Sequence, residues 1–177
     1  MSTLRVFATG AAPAGLLAKA RALMSAAFGD DFGETDWEHA LGGWHVVLLQ
    51  DDEVLAHAAL VRRGLEAAGR LVDCEYVEAV ATSPSAQGRG HGSAVMAEVA
   101  ELLRRRHDLG VLSTGRHAFY ERLGWERWQG PTYVRDGTAL TRTPDEDDGI
   151  MVLRFGATRA LPLNAPMVCE ARDGDDW

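Results

Sequence analysis

The segment most informative about chemistry is a glycine-rich run, Gln87-Gly-Arg-Gly-His-Gly92, between a strand-like stretch and an amphipathic helical stretch. Glycine-rich turns expose backbone N–H groups, and the first turn of a helix adds free amides and the positive end of its dipole. Arg89 adds a positive charge to this run. The placement therefore predicts an anion site suited to a pyrophosphate. The alternative is an ordinary loop that starts a helix.

Two other phosphate-binding motifs fit this run poorly. The dinucleotide motif G-x-G-x-x-G opens the first βα unit of a parallel sheet, with an acidic residue about 20 residues later. Here the glycines are Gly88, Gly90 and Gly92, and hairpin-like strands precede them. A P-loop needs Lys and then Ser or Thr after its last glycine, which this run lacks. A nicotinamide cofactor is disfavoured and a P-loop is excluded.

A single carboxylate, Glu78, lies in the strand-like run from Tyr76 to Ala81. A strand that leads into a ligand-binding turn rarely carries an unpaired carboxylate without a reason, because burying one is costly. Glu78 is a candidate general base. The alternative is a strand-end residue that faces solvent or an arginine. Cys74, just before this run, has no adjacent base and is predicted to be an inert buried thiol.

The charge balance limits the classes of partner. The chain has 18 Lys and Arg against 26 Asp and Glu, for a net charge of −8 and a pI near 5.2. This field repels nucleic-acid phosphates and anionic lipids and attracts cations. Carboxylates concentrate in Asp145-Glu-Asp-Asp148 and in the last five residues, Asp173 to Trp177. We expect a cationic partner and neither nucleic acid nor membrane.

Metal, disulfide and membrane signals are weak. Cys74 and Cys169 form no CxxC pair, and the six histidines show no paired-ligand spacing. The acidic run ending at Gly149 lacks the 12-residue loop of a calcium site. No apolar run approaches the roughly 20 residues that span a bilayer. We expect a cytoplasmic protein with free thiols and no metal.

The elements that position these residues follow from periodicity. A chain of 177 residues with 46% hydrophobic residues is predicted to form one domain over 1–177. Helices are predicted over 16–28, from a capping box at Thr35 to Gly42, through 95–106 and over 117–123. Strands are predicted over 4–8, 44–50, 54–61, 71–81, 111–113 and 150–155, with a further short strand after Gly124, and 129–149 is predicted to be irregular. The fold class is α/β (α+β), a mixed, mainly antiparallel sheet flanked by helices.

Two segments together resemble the signatures of the GCN5-related N-acetyltransferases, the GNAT family. They are Gln87-x-x-Gly90-x-Gly92 after the run Tyr76 to Thr82, and Phe119-Tyr-Glu-Arg-Leu-Gly-Trp125. In that family the glycine turn holds the pyrophosphate of acetyl-CoA, and the preceding strand binds its pantetheine arm. The resemblance implies a GNAT fold whose sheet splits at the acetyl-CoA site.

A closer resemblance covers nearly the whole chain, to the aminoglycoside 2'-N-acetyltransferases of mycobacteria and related actinomycetes. It rests on Glu34-Thr-Asp-Trp-Glu-His39, Leu41-Gly-Gly43, Tyr76-Val-Glu78, Gln129-Gly-Pro-Thr132, Thr141-Arg-Thr-Pro-Asp145 and the terminal Asp-Asp-Trp. The sequence departs from the family at Ala79, where glycine is expected, and in a shorter stretch from Ser113 to Tyr120.

The resemblance implies residue roles. Glu78 is the general base, acting through a water, and Tyr120 is the general acid that protonates the CoA thiolate. The alternative for Tyr120 is a helix residue packed on the sheet. The residues implied to bind acetyl-CoA are Val80, Thr82, Gln87, Gly88, Arg89, Gly90, His91, Gly92 and Ser93. Those implied to bind the acceptor are Asp36, Glu78, Ala79, Ser113, Asp147, Asp175 and Trp177.

The implied function is acetyl transfer from acetyl-CoA to the 2'-amine of an aminoglycoside, by direct attack in a ternary complex. It would serve antibiotic resistance, and the resemblance implies a homodimer. One alternative acceptor is a different amine, such as a polyamine, a cell-wall amino sugar or a protein N-terminus. The other alternative is an acyl-CoA sensor without turnover, which the presence of both Glu78 and Tyr120 disfavours.

Overall fold

The computed structural model describes residues 1–106 and 109–177, so His107, one of the six histidines, lies outside the described residues. The strands are β1 (Ser2–Ala8), β2 (Trp44–Gln50), β3 (Glu53–Ala67), β4 (Arg70–Thr82), β5 (Leu109–Ser113), β6 (Glu126–Arg127), β7 (Thr132–Asp136), β8 (Ala139–Arg142), β9 (Ile150–Arg154) and β10 (Met167–Glu170). The α-helices are α1 (Leu16–Phe28), α2 (Glu34–His39), α3 (His91–Arg106) and α4 (His117–Glu121).

These elements form two compact units. The first unit is Met1–Val61 with Val77–Glu101, and the second unit is Arg62–Tyr76 with Leu102–Trp177. The chain passes between the units within β3, β4 and α3. A single domain over 1–177 therefore stays a prediction.

In the first unit, β2 pairs antiparallel with β1 and with β3. Helix α1 buries the side chains that recur at helical spacing on one face, because these pack into the core of the unit. They are Leu16, Ala20, Leu23 and Met24. Val47, Ala59 and Trp37 complete that core from the strands and α2.

The helix boundaries test the capping predictions. Helix α1 ends at Phe28, directly before Gly29, as predicted; the φ of 62° at Gly29 is a conformation that glycine adopts readily. Helix α2 begins at Glu34, and the carboxylate of Asp36 accepts a hydrogen bond from Gly33 N–H at 2.7 Å. The predicted capping box at Thr35 is therefore wrong. The side-chain acceptor lies inside the first turn and reaches back to the residue before the helix.

In the second unit the strand order is β6-β9-β5-β4-β3-β10-β7-β8. The pairs β4–β5 and β10–β7 are parallel, while β5–β9, β6–β9, β10–β3 and β7–β8 are antiparallel. Tyr76, Val111, Ile150, Met167 and Trp177 belong to its buried core. The predicted mixed, mainly antiparallel sheet flanked by helices is confirmed.

Three strands were not predicted. Residues 129–149, expected to be irregular, contain the hairpin of β7 and β8, which turns at Gly137 with a φ of 57°. All four β8 residues are exposed, so that strand lacks the alternation that marks a half-buried strand. Strand β10 is four residues long and pairs with strands far away in sequence. The local sequence of β8 and of β10 is therefore not sufficient to predict either strand.

Candidate active site

The glycine turn, residues 87–92, joins the end of β4 to α3 in the first unit. Gly88 and Gly90 have φ values of 75° and 82°, and a Cβ at either would meet no atom within 4 Å. The backbone conformation, and not crowding by the protein, therefore favours glycine at both positions. Residues 87–90 are exposed.

Helix α3 begins directly after this turn. Ala94 N–H donates to Gly90 O at 3.0 Å, so the amides of the preceding residues belong to the first turn, which has no helical acceptors. His91, Gly92 and Ser93 occupy that turn and are half-buried. Gln87 Nε2 donates to Thr82 O at 3.4 Å. The exposed turn and the free amides fit an anionic group such as a pyrophosphate.

Glu78 lies on the same strand as the predicted pantetheine-binding residues, Val80 and Thr82, and is half-buried like them. Ala79, the next residue, has a φ of 49°. A non-glycine residue in this region is uncommon and strained, so glycine would be the easier residue here. A left-handed residue within a strand interrupts the regular alternation of side chains between the two faces of the sheet.

Two buried histidines, His45 and His57, lie against this kink. His57 Nδ1 is 2.8 Å from Ala79 O, and His57 Nε2 is 3.0 Å from His45 Nδ1. Both side chains are fully buried. Burial lowers the pKa of each to about 4. The sequence marked neither residue, because their neighbours in space are remote along the chain.

The neutral histidine pair makes stability depend on pH. In the unfolded chain the pKa is near 6.5, so the unfolded state takes up protons first as the pH falls from 6.5 toward 4. Stability from these groups is complete above pH 6.5 and is lost across that window. One histidine shifted this far contributes about 3 kcal/mol.

We expect urea unfolding to show a free energy of unfolding that decreases from pH 7 to pH 5. The variant His57→Asn, which cannot be protonated, should show a shallower decrease. A free energy that is independent of pH across this interval in the native protein would contradict the prediction.

Tyr120 lies in the second unit, on α4, and is 6% exposed. Its ring makes edge contacts with Phe119 at 4.9 Å and Trp125 at 6.0 Å between centroids. Burial raises the pKa of its hydroxyl to about 12. The hydroxyl therefore keeps its proton at neutral pH.

Asp147 and Ser113, both predicted to bind the acceptor, also lie in the second unit. Asp147 Oδ1 accepts hydrogen bonds from Thr132 N and Oγ1, each at 2.9 Å, and its carboxylate pairs with Arg142. The hydrogen bond from Arg142 lowers the pKa of Asp147. Ser113 ends β5 with an exposed side chain beside Gly149, where a Cβ would lie 2.8 Å from its Oγ.

The C-terminal residues fold onto the second unit. Trp177 is 4% exposed and belongs to the core of that unit. Arg63 Nη1 donates to Asp176 O at 2.8 Å, and Arg172 N–H donates to the Asp176 carboxylate at 2.8 Å. Asp175 remains exposed, and its carboxylate accepts from Trp177 N–H at 3.3 Å. The acidic end is ordered by backbone contacts that leave the Asp175 side chain facing solvent.

The predicted site residues thus fall into two sets. In the first unit the structure places Glu78 and Ala79 on β4, the cofactor set on the end of β4 and the start of α3, and Asp36 on α2. The second unit contains the others. They are Ser113, Tyr120, Asp147, Asp175 and Trp177.

Both cysteines are free and buried. Cys74 is buried, its Sγ donates to Arg63 O at 3.1 Å, and burial raises its pKa to about 12. Cys169 is also buried and free. Among residues 1–106 and 109–177 no three His, Cys, Asp or Glu side chains are placed to hold a metal ion. No helix within those residues is long and apolar enough to cross a membrane.

Comparison with known proteins identifies the class. A family model described as an acetyltransferase (GNAT) domain matches residues 12–128. The chain belongs to the GNAT acetyltransferases, as the two signature segments indicated.

Individual relatives extend this result. The chain is 42% identical over 163 residues to the aminoglycoside 2'-N-acetyltransferase of Mycolicibacterium fortuitum, covering 89% of this chain and 83% of that relative.

Solved structures support the fold. The GNAT family N-acetyltransferase YhbS from Escherichia coli, solved in complex with CoA, matches with a TM-score of 0.69 at 17% identity, over 95% of this chain and 89% of that one. A probable N-acyltransferase from Enterococcus faecalis matches with a TM-score of 0.61 at 18% identity. The match covers 72% of this chain and 33% of that longer one, so the present chain corresponds to about a third of it.

Proposed function

We propose that this protein transfers the acetyl group of acetyl-CoA to the 2'-amine of an aminoglycoside. The observation that carries the proposal is the 42% identity to the Mycolicibacterium fortuitum enzyme over 89% of the chain. The exposed glycine turn before α3 supports acetyl-CoA as the donor, because its amides suit a pyrophosphate. We further propose that the protein acts in the cytoplasm as a homodimer and contributes to antibiotic resistance.

The reaction forms a C–N bond and breaks a C–S bond. Acetyl-CoA supplies the thioester, and the amine nitrogen attacks its carbonyl carbon. The nitrogen must first lose the proton of its ammonium form, and it sheds another as the amide forms. CoA departs with the electron pair of the C–S bond. The chain must therefore supply a proton acceptor near the amine and a donor near the sulfur.

Glu78 is the proposed proton acceptor. Its carboxylate is half-buried on β4, at the kink before the glycine turn. We propose that Glu78 orients a water molecule, which passes the proton of the ammonium group to the carboxylate.

Tyr120 is the proposed donor to sulfur. Since burial raises its pKa to about 12, the hydroxyl is protonated at any physiological pH. An ordinary thiol has a pKa near 8.5 and is the stronger acid. The hydroxyl therefore stabilises the departing thiolate chiefly as a hydrogen-bond donor, an interaction that strengthens as negative charge develops on sulfur.

Acidic side chains of the second unit suit a polycationic acceptor. Glu146 has a raised pKa, first because of burial and then because of the charges of Asp175, Asp145 and Asp176. These groups concentrate negative potential, which attracts ammonium groups. Asp147 is already paired with Arg142, so we propose that it orders the loop around Thr132 and contacts the acceptor through its remaining lone pairs.

The test is a thiol-release assay with acetyl-CoA and a panel of amines. We expect aminoglycosides that carry a 2'-amine to be acetylated. Otherwise similar aminoglycosides with a 2'-hydroxyl should not be acetylated. Polyamines, cell-wall amino sugars and peptide N-termini complete the panel. Turnover confined to one of these would replace the aminoglycoside as acceptor. No thiol release with any amine would favour an acyl-CoA sensor.

The C-terminal residues provide a separate prediction. Deleting Asp175 to Trp177 removes the exposed carboxylate of Asp175, which can form a charge-assisted hydrogen bond of roughly 1.5–3 kcal/mol with an ammonium group. The acceptor KM should rise at least about tenfold, which corresponds to roughly 1.4 kcal/mol, with CoA affinity unchanged.

Because Trp177 is part of a buried core, the deletion should also lower Tm. Asp175→Asn therefore serves as the milder variant, and Asp173→Asn, which removes the same charge two residues earlier, is its control. KM values measured at two salt concentrations distinguish contact from long-range attraction. Equal acceptor KM for native, truncated and Asp175→Asn proteins would show that the acidic end does not bind the acceptor.

A further inference from the structure

We propose that His57 and His45 are positioning residues for acetyl transfer, holding the left-handed turn at Ala79 that orients Glu78. The inference rests on the proposed role of Glu78 as base. It concerns a group of residues, named here the histidine chain, that runs from Thr9 through His45 and His57 to the carbonyl of Ala79.

The histidine chain is continuous and lies within the first unit. Thr9 Oγ1 is 2.9 Å from His45 Nε2, His45 Nδ1 is 3.0 Å from His57 Nε2, and His57 Nδ1 is 2.8 Å from Ala79 O. At its far end Gly42 N–H donates to Thr9 Oγ1 at 3.0 Å. The chain therefore begins and ends at backbone groups.

The direction of every hydrogen bond follows from the last acceptor. A carbonyl oxygen only accepts, so His57 must carry its proton on Nδ1. Burial keeps both rings neutral, which leaves His57 Nε2 as an acceptor. His45 must then donate from Nδ1 and accept at Nε2. Thr9 therefore donates its hydroxyl proton to that nitrogen at 2.9 Å, and not to Gly43 O, which lies 3.2 Å from the same hydroxyl. Both histidines are thus protonated on Nδ1, and all bonds point toward Ala79.

The first residues of the histidine chain, Thr9 and His45, are fixed by hydrogen bonds and packing. Thr9 N–H donates to Gly43 O at 2.9 Å. Gly43 has no room for a side chain, since a Cβ there would lie 1.9 Å from Leu60 O. The imidazole of His45 stacks on Phe7 at 5.4 Å, and Trp37 lies 6.2 Å from the ring of His57. Because Thr9 and His45 are fixed in this way, the histidine chain can fix the position of the Ala79 carbonyl at its other end.

The histidine chain ends at Ala79, a residue whose backbone conformation needs stabilising contacts. Alanine at a φ of 49° costs free energy that glycine would not, and such a conformation persists only where surrounding contacts determine it. The donor from His57 holds the carbonyl that this conformation presents. Because Glu78 directly precedes Ala79, the orientation of its carboxylate depends on that turn. Simple packing would be satisfied by apolar rings and does not require two buried imidazoles with aligned donors.

The kinetic test uses two substitutions of one residue. In His57→Asn the amide nitrogen takes the place of Nδ1 and keeps the donor to Ala79 O. In His57→Gln the polar group takes the place of Nε2, so the contact with His45 is kept and the donor to Ala79 is lost. We expect His57→Gln to lower kcat about tenfold, with KM for acetyl-CoA within about twofold of native. His57→Asn should retain kcat within about threefold. Equal kcat for the two variants would overturn the proposal.

Repeating the His57→Gln substitution in the Ala79→Gly protein distinguishes a positioning role of His57 from a packing role. Glycine adopts a positive φ without support, so in Ala79→Gly the loss of the His57 donor should matter less. His57→Gln is expected to lower kcat less than about threefold when compared with Ala79→Gly alone. A packing role would give the same loss in both backgrounds, and that result would also overturn the proposal.

A measurement on the native protein is independent of activity and of mutant folding. The ¹⁵N shifts of the two imidazoles should show a proton on Nδ1 of both His45 and His57 between pH 6 and pH 8. Protonation on Nε2 of either ring would exclude the chain. If the ¹⁵N shifts show both protons on Nδ1 but no amine is acetylated, the proposed function is wrong and the hydrogen bonding of the histidine chain is confirmed. If an amine is acetylated but the shifts show a proton on Nε2, the proposed function is supported and the histidine chain is wrong.

Discussion

Glu78→Gln is expected to lower kcat/KM for the amine acceptor by about 10²-fold near neutral pH, because a positioned general base contributes about that much. The amide is nearly isosteric with the carboxylate and should occupy the same half-buried position on β4. It cannot accept the proton. The loss should therefore appear in kcat and leave the affinity for CoA unchanged.

The informative measurement is the pH–rate profile of kcat/KM. The two enzymes should differ in the pH dependence of kcat/KM, because only the native enzyme has a proton acceptor at position 78. Glu53→Gln, at an exposed position that starts β3 in the same unit, controls for the change in net charge. Profiles of native and Glu78→Gln enzymes that coincide would show that Glu78 is not the base.

Gly92→Val is expected to raise the KM for acetyl-CoA by about 10²-fold, with the acceptor KM within about twofold of native. Gly92 is the second residue of α3, in the turn whose amides are proposed to bind the pyrophosphate. A branched side chain there blocks close approach of the ligand to the backbone. Loss of two charge-assisted hydrogen bonds of about 1.5 kcal/mol each corresponds to that factor.

Position 92 is a better probe than position 90. Gly90 has a φ of 82°, so valine there would strain the backbone and lower stability as well as affinity. Gly10→Val, at a position of ordinary φ with nothing within 4 Å of a Cβ, is the control for folding. Calorimetry with CoA measures the affinity directly. Unchanged CoA affinity in a folded Gly92→Val protein would remove the basis for assigning the pyrophosphate to this turn.

The sequence alone was sufficient where the signal is local. Helix α1 was predicted at its observed bounds because apolar residues recur at helical spacing up to Gly29. The glycine turn before α3 was predicted because glycines, a strand and a helix are adjacent along the chain. The acetyltransferase class followed from two short motifs in the correct order, and the family match agrees with them.

Tertiary structure decided the features that depend on distant contacts. Strand β10 exists because its four residues pair with β3 and β7, which are remote in sequence. The C-terminal residues are ordered because Arg63 donates to Asp176 O, and nothing near Asp176 in sequence indicates that partner.

The clearest case is Ala79. The sequence showed only an alanine where the family resemblance led us to expect glycine, whereas the structure shows a left-handed residue whose carbonyl oxygen lies 2.8 Å from His57 Nδ1. His57 is 22 positions away and depends in turn on His45. Local propensity reports the cost of such a conformation but not the contacts that offset it. Those contacts exist only once the strands of the first unit have paired and brought Thr9, both histidines and Ala79 together.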